Sequence, residues 1–86
     1  MEIRYSPKFI KKYQKLPPKF RAQFDSRFLL FVSDPTAPVL RLHPLKGKYR
    51  GYWSISVSGD LRAIYLERGE EIIIFAFIGT HSQLYG

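Results

Sequence analysis

Eighty-six residues suffice for one hydrophobic core and not for two, so a single domain over residues 1–86 is expected. A chain that is 45% hydrophobic and 16% aromatic lies outside the disordered class, and the lack of cysteine removes disulfide frameworks and thiolate metal sites. Fourteen Lys and Arg against seven Asp and Glu leave a formal charge of +7, which favours partners rich in phosphate or carboxylate.

No apolar stretch approaches the roughly 18 residues of a membrane span, and MEIRYSPKF lacks a signal-peptide core. The expectation is a soluble, cytoplasmic protein with no membrane partner.

Residues Ile3 to Tyr5 alternate as a short strand. Ser6 then reads as an N-cap and Pro7 as the first helical residue, because Ser accepts from free amides and Pro needs no donor there. Phe9, Ile10, Tyr13 and Leu16 fall on one helical face. Pro17 and Pro18 end that helix and open the next. In the second helix Phe20, Phe24, Phe28 and Phe31 recur at helical spacing, the pattern of a core seam. SDPTAP is a turn-rich exit.

After a basic connection, Tyr52 to Val57 alternates, with Trp53, Ile55 and Val57 on one face and Tyr52, Ser54 and Ser56 on the other. Ser58-Gly59-Asp60 is a hairpin turn, Arg62 to Glu67 a strand, Arg68-Gly69-Glu70 a turn, and Ile72 to Ile78 a strand apolar on both faces and hence internal. The fold class is α+β: a strand, two helices, then a three-stranded antiparallel meander, with the helices on one face of a single antiparallel sheet. Function is then expected on the opposite, serine-bearing face. Arg62 shares that face if a one-residue bulge sets it beside Ser56, and not if an even turn pairs it with Val57.

The basic excess is uneven. Arg4 to Arg27 holds eight basic residues and one acid, and Arg41 to Arg50 holds four and no acid. In KGKYRGYW the charges of Lys46, Lys48 and Arg50 interleave with aromatics able to stack on unpaired bases. The tail GTHSQLYG carries His81 and Tyr85 four residues apart, one side of a single helical turn. The other histidine, His43, precedes the basic connection.

Two histidines 38 positions apart, without cysteine or clustered acids, form no recognisable metal spacing. Neither GxSxG nor a phosphate-binding loop occurs. Imidazole, phenol, carboxylate and guanidinium beside a basic surface suit RNA strand scission. That reaction can use the ribose 2′-hydroxyl as nucleophile and asks the protein for a base, an acid and positive charge, with no cofactor. Imidazole ordinarily titrates near 6.5 and serves in either proton role. Each residue also has a plainer reading: His81 as a turn donor, Tyr85 as a lid on the core, Asp60 as a turn residue, Arg62 in a surface ion pair.

HPLKGKYRGYW, GDLRAIY and FIGTHSQLYG, in this order, resemble the RelE/ParE superfamily of type II toxin-antitoxin toxins, its YafQ-like branch most closely. The resemblance runs over the whole chain. It implies a metal-independent, ribosome-dependent endoribonuclease that cuts mRNA in the decoding site, touching ribosomal RNA, and is held inactive in a hetero-oligomeric complex by an acidic antitoxin protein. By position, His43, Asp60 and His81 match YafQ-like active-site residues, Tyr85 matches the closing aromatic, and Arg62 matches the RelE-branch arginine that contacts the scissile phosphate. The implied roles are general acid or base for His81, assistance or orientation by His43 and Asp60, phosphate stabilisation by Arg62, and base positioning by Tyr85. Lys46, Lys48, Arg50, Tyr52, Ser54 and Ser56 form the RNA-binding set. Where the YafQ-like branch carries an acid and a histidine on the strand after Gly-Tyr, this chain has Ser54 and Ser56, neither of which shuttles a proton at neutral pH. A ParE-type toxin that inhibits DNA gyrase, and a weakened homologue that mainly binds its antitoxin, therefore stand as alternatives.

Overall fold

Proline begins each long helix, where its missing N–H costs nothing. The computed structural model describes residues 1–85. Strand β1 (Glu2–Tyr5) leads through Ser6 into α1 (Pro7–Lys15), and Pro17 divides this from α2 (Pro18–Ser33). A 3-10 turn at Pro38–Leu40, the two-residue β2 (His43–Pro44) and a second 3-10 turn at Gly47–Tyr49 follow. Strands β3 (Tyr52–Ser58), β4 (Leu61–Arg68) and β5 (Ile72–Thr80) form the meander, and α3 (His81–Tyr85) closes the described chain.

The sheet has the order β1-β5-β4-β3-β2. The expected α+β arrangement is present, with two corrections. The sheet is mixed, because β1 pairs with β5 in parallel: the meander leaves β5 with a free edge, and β1 fills it running the same way. The sheet also gains β2, which pairs His43 with Ser54 and Pro44 with Trp53. As expected, β5 is internal, lying between β1 and β4.

Both helices supply aromatics to one face of the sheet. Phe9, Phe24 and Phe31 are buried against Ile55, Val57, Ala63, Tyr65 and Phe75, with Phe20 and Phe28 packed around them. The Phe seam is therefore core. Ile10, expected on the buried face of α1, is 43% exposed; Phe9 and Tyr13 (i, i+4) define the seam and Ile10 lies about 100° around the helix from Phe9. Phe75 is fully buried, and the rings of Tyr5, Phe9, Phe24, Phe28, Phe31 and Tyr65 surround it at 5.6–6.0 Å.

Two irregularities in pairing decide what the other face carries. On β5, Phe75 opposes Tyr65 and Phe77 opposes Ile64, so Ala76 is an extra residue in the ladder. Side-chain parity switches there: Phe75 faces the helices, whereas Phe77 and Gly79 face the open side. On β3 the register shifts between Ser56 and Ser58, and Ser56 pairs with Arg62. The bulge, not the even turn, therefore sets Arg62 on the serine face. Ser6 secures the first irregularity. Its Oγ donates to the Ala76 carbonyl at 2.8 Å and accepts from the Phe9 N–H at 3.0 Å, while its own N–H donates to the Phe75 carbonyl at 2.9 Å. Among the described residues no helix is long and apolar enough to cross a membrane.

Ser6→Ala removes an N-cap and strips the bulge carbonyl of its partner, a cost of about 2 kcal/mol. Thermal melting should fall by about 8–16 °C. Burial, and secondarily Glu67, push the Tyr65 phenol up to about 12. An unfolded tyrosine ionises near 10, so between about pH 10 and 12 the native state holds a proton that the unfolded state has lost, and stability declines across that window. Urea unfolding of Tyr65→Phe should show a shallower decline from pH 10 to 12 than the parent, with a residual slope from Tyr5, Tyr13 and Tyr85, whose pKa values are pushed up as well.

Candidate active site

The last turn of the chain is short but well fastened. Thr80 and Gln83 form a capping box: the Gln83 N–H donates to Thr80 Oγ1 at 3.2 Å, and the Thr80 N–H donates to Gln83 Oε1 at 2.9 Å. A five-residue helix cannot hold itself in water, so tertiary contacts complete the attachment. Leu84 is buried, and the Tyr49 hydroxyl donates to its carbonyl at 2.8 Å. Gly79 lets α3 sit close: a Cβ there would stand 3.0 Å from Gln83 Oε1. The outcome is the i, i+4 pairing anticipated for the tail, with the rings of His81 and Tyr85 4.7 Å apart.

Beneath α3 lies a set of aromatic rings made available by the switch at Ala76. Tyr49 packs edge-on against Tyr52 (6.1 Å), Phe77 (5.6 Å) and Tyr85 (5.4 Å), and Tyr52 against Phe77 (5.8 Å). Tyr52, proposed from sequence to touch RNA, is thus half-buried as part of the seat for α3. Tyr49 was missing from the candidates. Its signal was present in KGKYRGYW, but nothing local says that its hydroxyl reaches residue 84.

A cavity of about 330 Å³ opens beside this seat, lined by His43, Leu45, Ser54, Arg62, His81 and Tyr85. Four of the five residues expected to act in catalysis thus share one concavity. The fifth does not: Asp60 is exposed in the β3–β4 turn and lines a different cavity, with Lys12, Lys15 and Thr80. The bulge near the end of β3 directs Arg62 to the open face, and the turn that follows leaves Asp60 beyond the end of the ladder. Lys46, Lys48 and Arg50 are exposed around the 3-10 turn at Gly47–Tyr49 and do not line the cavity. Ser56 receives the Arg62 guanidinium at 3.4 Å.

The polar groups are oriented for chemistry. His43 Nδ1 lies 2.8 Å from the Arg41 carbonyl. A carbonyl only accepts, so Nδ1 carries the proton and the neutral ring keeps its lone pair on Nε2. Arg62 Nη1 donates to the Gly59 carbonyl at 2.7 Å. The only ion pair among the described residues is Arg4–Glu2, so no carboxylate there neutralises Arg62. Burial pushes the pKa of the Tyr85 phenol up, Tyr49 adds to this, and Arg62 partly opposes it; at neutral pH Tyr85 is a hydrogen-bond donor. Ser54 is 1% exposed, and its Oγ has no hydrogen-bond partner among the described residues. A buried hydroxyl left idle costs about 1–3 kcal/mol. No group of three His, Cys, Asp or Glu suited to a metal ion occurs among the described residues.

A family model described as "Bacterial toxin of type II toxin-antitoxin system, YafQ" matches residues 1–86. Among solved structures, YafQ from E. coli strain BL21(DE3) is 28% identical with a TM-score of 0.79, over 99% of this chain and 98% of that one. The E. coli DinJ-YafQ toxin-antitoxin complex contains a chain 28% identical with a TM-score of 0.76, over 99% and 97%. A YoeB/ParE toxin from Agrobacterium tumefaciens shares the fold at 20% identity, with a TM-score of 0.77 over 94% and 99%. No curated protein sequence matches.

Tyr49→Phe removes one of the attachments of α3 and leaves the sheet intact. Amide hydrogen exchange at Gln83 and Leu84 should quicken about five- to tenfold, the equivalent of one hydrogen bond, while β4 amides keep the parent rates.

Proposed function

Since the chain belongs to the YafQ family of bacterial type II toxin-antitoxin toxins, we propose that it is a ribosome-dependent endoribonuclease that cuts mRNA by attack of the ribose 2′-hydroxyl on the adjacent phosphate. The observation that carries this reading is the lining of one cavity by both histidines, Arg62 and Tyr85. His43, whose Nε2 holds the free lone pair, is the general base that takes the 2′-hydroxyl proton. The 2′-oxygen bonds to phosphorus, and the bond from phosphorus to the 5′-oxygen breaks. His81 is the general acid that protonates this leaving oxygen, so one proton enters the protein and one departs. Arg62 stabilises the charge that builds on the phosphoryl oxygens, and the Tyr85 phenol donates to the same group or stacks on a flanking base.

The cognate partner is an acidic antitoxin protein forming a hetero-oligomeric complex in the cytoplasm, because a surface of net charge +7 attracts an acidic segment that folds as it binds. Ribosomal RNA is the further polyanion that the exposed Lys46, Lys48 and Arg50 meet.

With ribosomes stalled on a defined message, the parent should cut at codon-determined positions, and His81→Ala and His43→Ala should each slow cutting by at least about 100-fold. The single-turnover rate should follow a bell in pH, because the base acts deprotonated and the acid protonated. His43→Ala should flatten the acidic limb and His81→Ala the alkaline one. Cutting by His81→Ala at the parent rate, or inhibition of gyrase supercoiling by a parent that cuts no message, would overturn the reading.

A further inference from the structure

A second cationic cavity adjoins the first. It measures about 420 Å³ and is lined by Arg27, Arg41, Ser56, Ser58 and Gly59 together with Pro38 and Val39, without an acidic residue. It follows the edge of β3 beyond the point where β2 stops pairing. Arg27 is half-buried, and its Nε donates to the Val57 carbonyl at 3.2 Å. This bond pins the guanidinium plane and leaves its terminal nitrogens free to donate elsewhere. Arg41 adopts the left-handed backbone at φ 48°, the only non-glycine described residue with positive φ, a conformation that an arginine adopts only when its surroundings impose it. Its carbonyl meets His43 while the residue lines the second cavity.

The two cavities share a wall. Arg62, in the lining of the first, donates to Ser56 Oγ and to the Gly59 carbonyl, both from residues that line the second. Ser54 in the first and Ser56 in the second are two residues apart on one face of β3, a step of about 6.6–6.8 Å. An extended single strand repeats its phosphates on a comparable scale. Arginine forks and hydroxyls without carboxylates suit a phosphate with several acceptor oxygens.

We propose that the second cavity binds the phosphate adjoining the scissile one, with Arg27 and Arg41 as its ligands, so that the message is gripped at two successive phosphates. The proposal rests on the endoribonuclease reading and gives the strand its path, from the His43–His81 cavity along β3 towards α2. Through its carbonyl, Arg41 also ties occupation of the second cavity to the orientation of the base.

The test is fluorescence anisotropy of labelled hexauridylate with the parent, Arg41→Gln, and Arg27→Gln combined with Arg41→Gln, over a salt series, with the dinucleotide UpU as a single-phosphate competitor. Arg41→Gln carries the test by itself if the double variant folds poorly, because the Arg41 side chain makes no hydrogen bond among the described residues. Each arginine removed should lower the log–log salt slope by about 0.7, while competition by UpU stays at the parent level. Unchanged slopes, equal losses for UpU, or no measurable hexauridylate binding by the parent at the lowest salt would overturn the proposal. So would a hexaglutamate peptide that displaces the RNA and itself shows the slope loss, since the cavity would then belong to an acidic protein segment. His81-dependent cutting of ribosomal message is read in parallel. Its persistence alongside unchanged slopes defeats only the second phosphate site, and its absence in the parent defeats the endonuclease reading.

Discussion

One inserted residue lets a single apolar strand serve two layers. In a regular strand Phe75 and Phe77 would point the same way, and the run IIIFAFI would have to choose between core and site. With Ala76 bulged, Phe75 anchors the aromatic core against both helices while Phe77 supports Tyr49 and Tyr52 on the other side. The same switch turns Gly79 to the open face, where α3 needs a position without a side chain. A bulge also releases a carbonyl from the ladder, and Ser6 accounts for that group from the far end of the chain. The N-cap of α1 is thereby joined to the geometry of the site.

From this constraint follows a division of labour between rigid support and exposed chemistry. His81 is exposed, but it rides on a helix held by a reciprocal cap, a buried leucine and a tyrosine hydroxyl. His43 is exposed as well, yet its ring is oriented by the Arg41 carbonyl and its backbone by pairing with Ser54. Acid/base groups work when they are accessible to substrate and restrained in direction, and both histidines meet the two conditions by different means.

The site is rich in hydrogen-bond donors and poor in titratable groups. Serines at 54 and 56 supply hydroxyls where proton transfer would need an imidazole or a carboxylate, and Asp60 lies away from the cavity. In the proposed reaction the proton work therefore falls on two histidines, and Arg62 and the un-ionised Tyr85 are the groups left to meet charge on a phosphate. Two arginines along the neighbouring edge extend the positive lining.

Much of this was legible in the letters because it is local. Pro7 and the pair Pro17-Pro18 bound the helices through their own covalent geometry, Ser6 caps through atoms three residues away, and the Phe seam and the alternation in β3 follow from periods of 3.6 and 2. The pairing of His81 with Tyr85 is of the same kind. Tertiary structure alone decided the parallel docking of β1, the face chosen by Arg62, the separation of Asp60 and the reach of Tyr49 to residue 84. Each of these depends on register and on contacts between distant segments, and a bulge of one residue inverts a face without altering composition or periodicity.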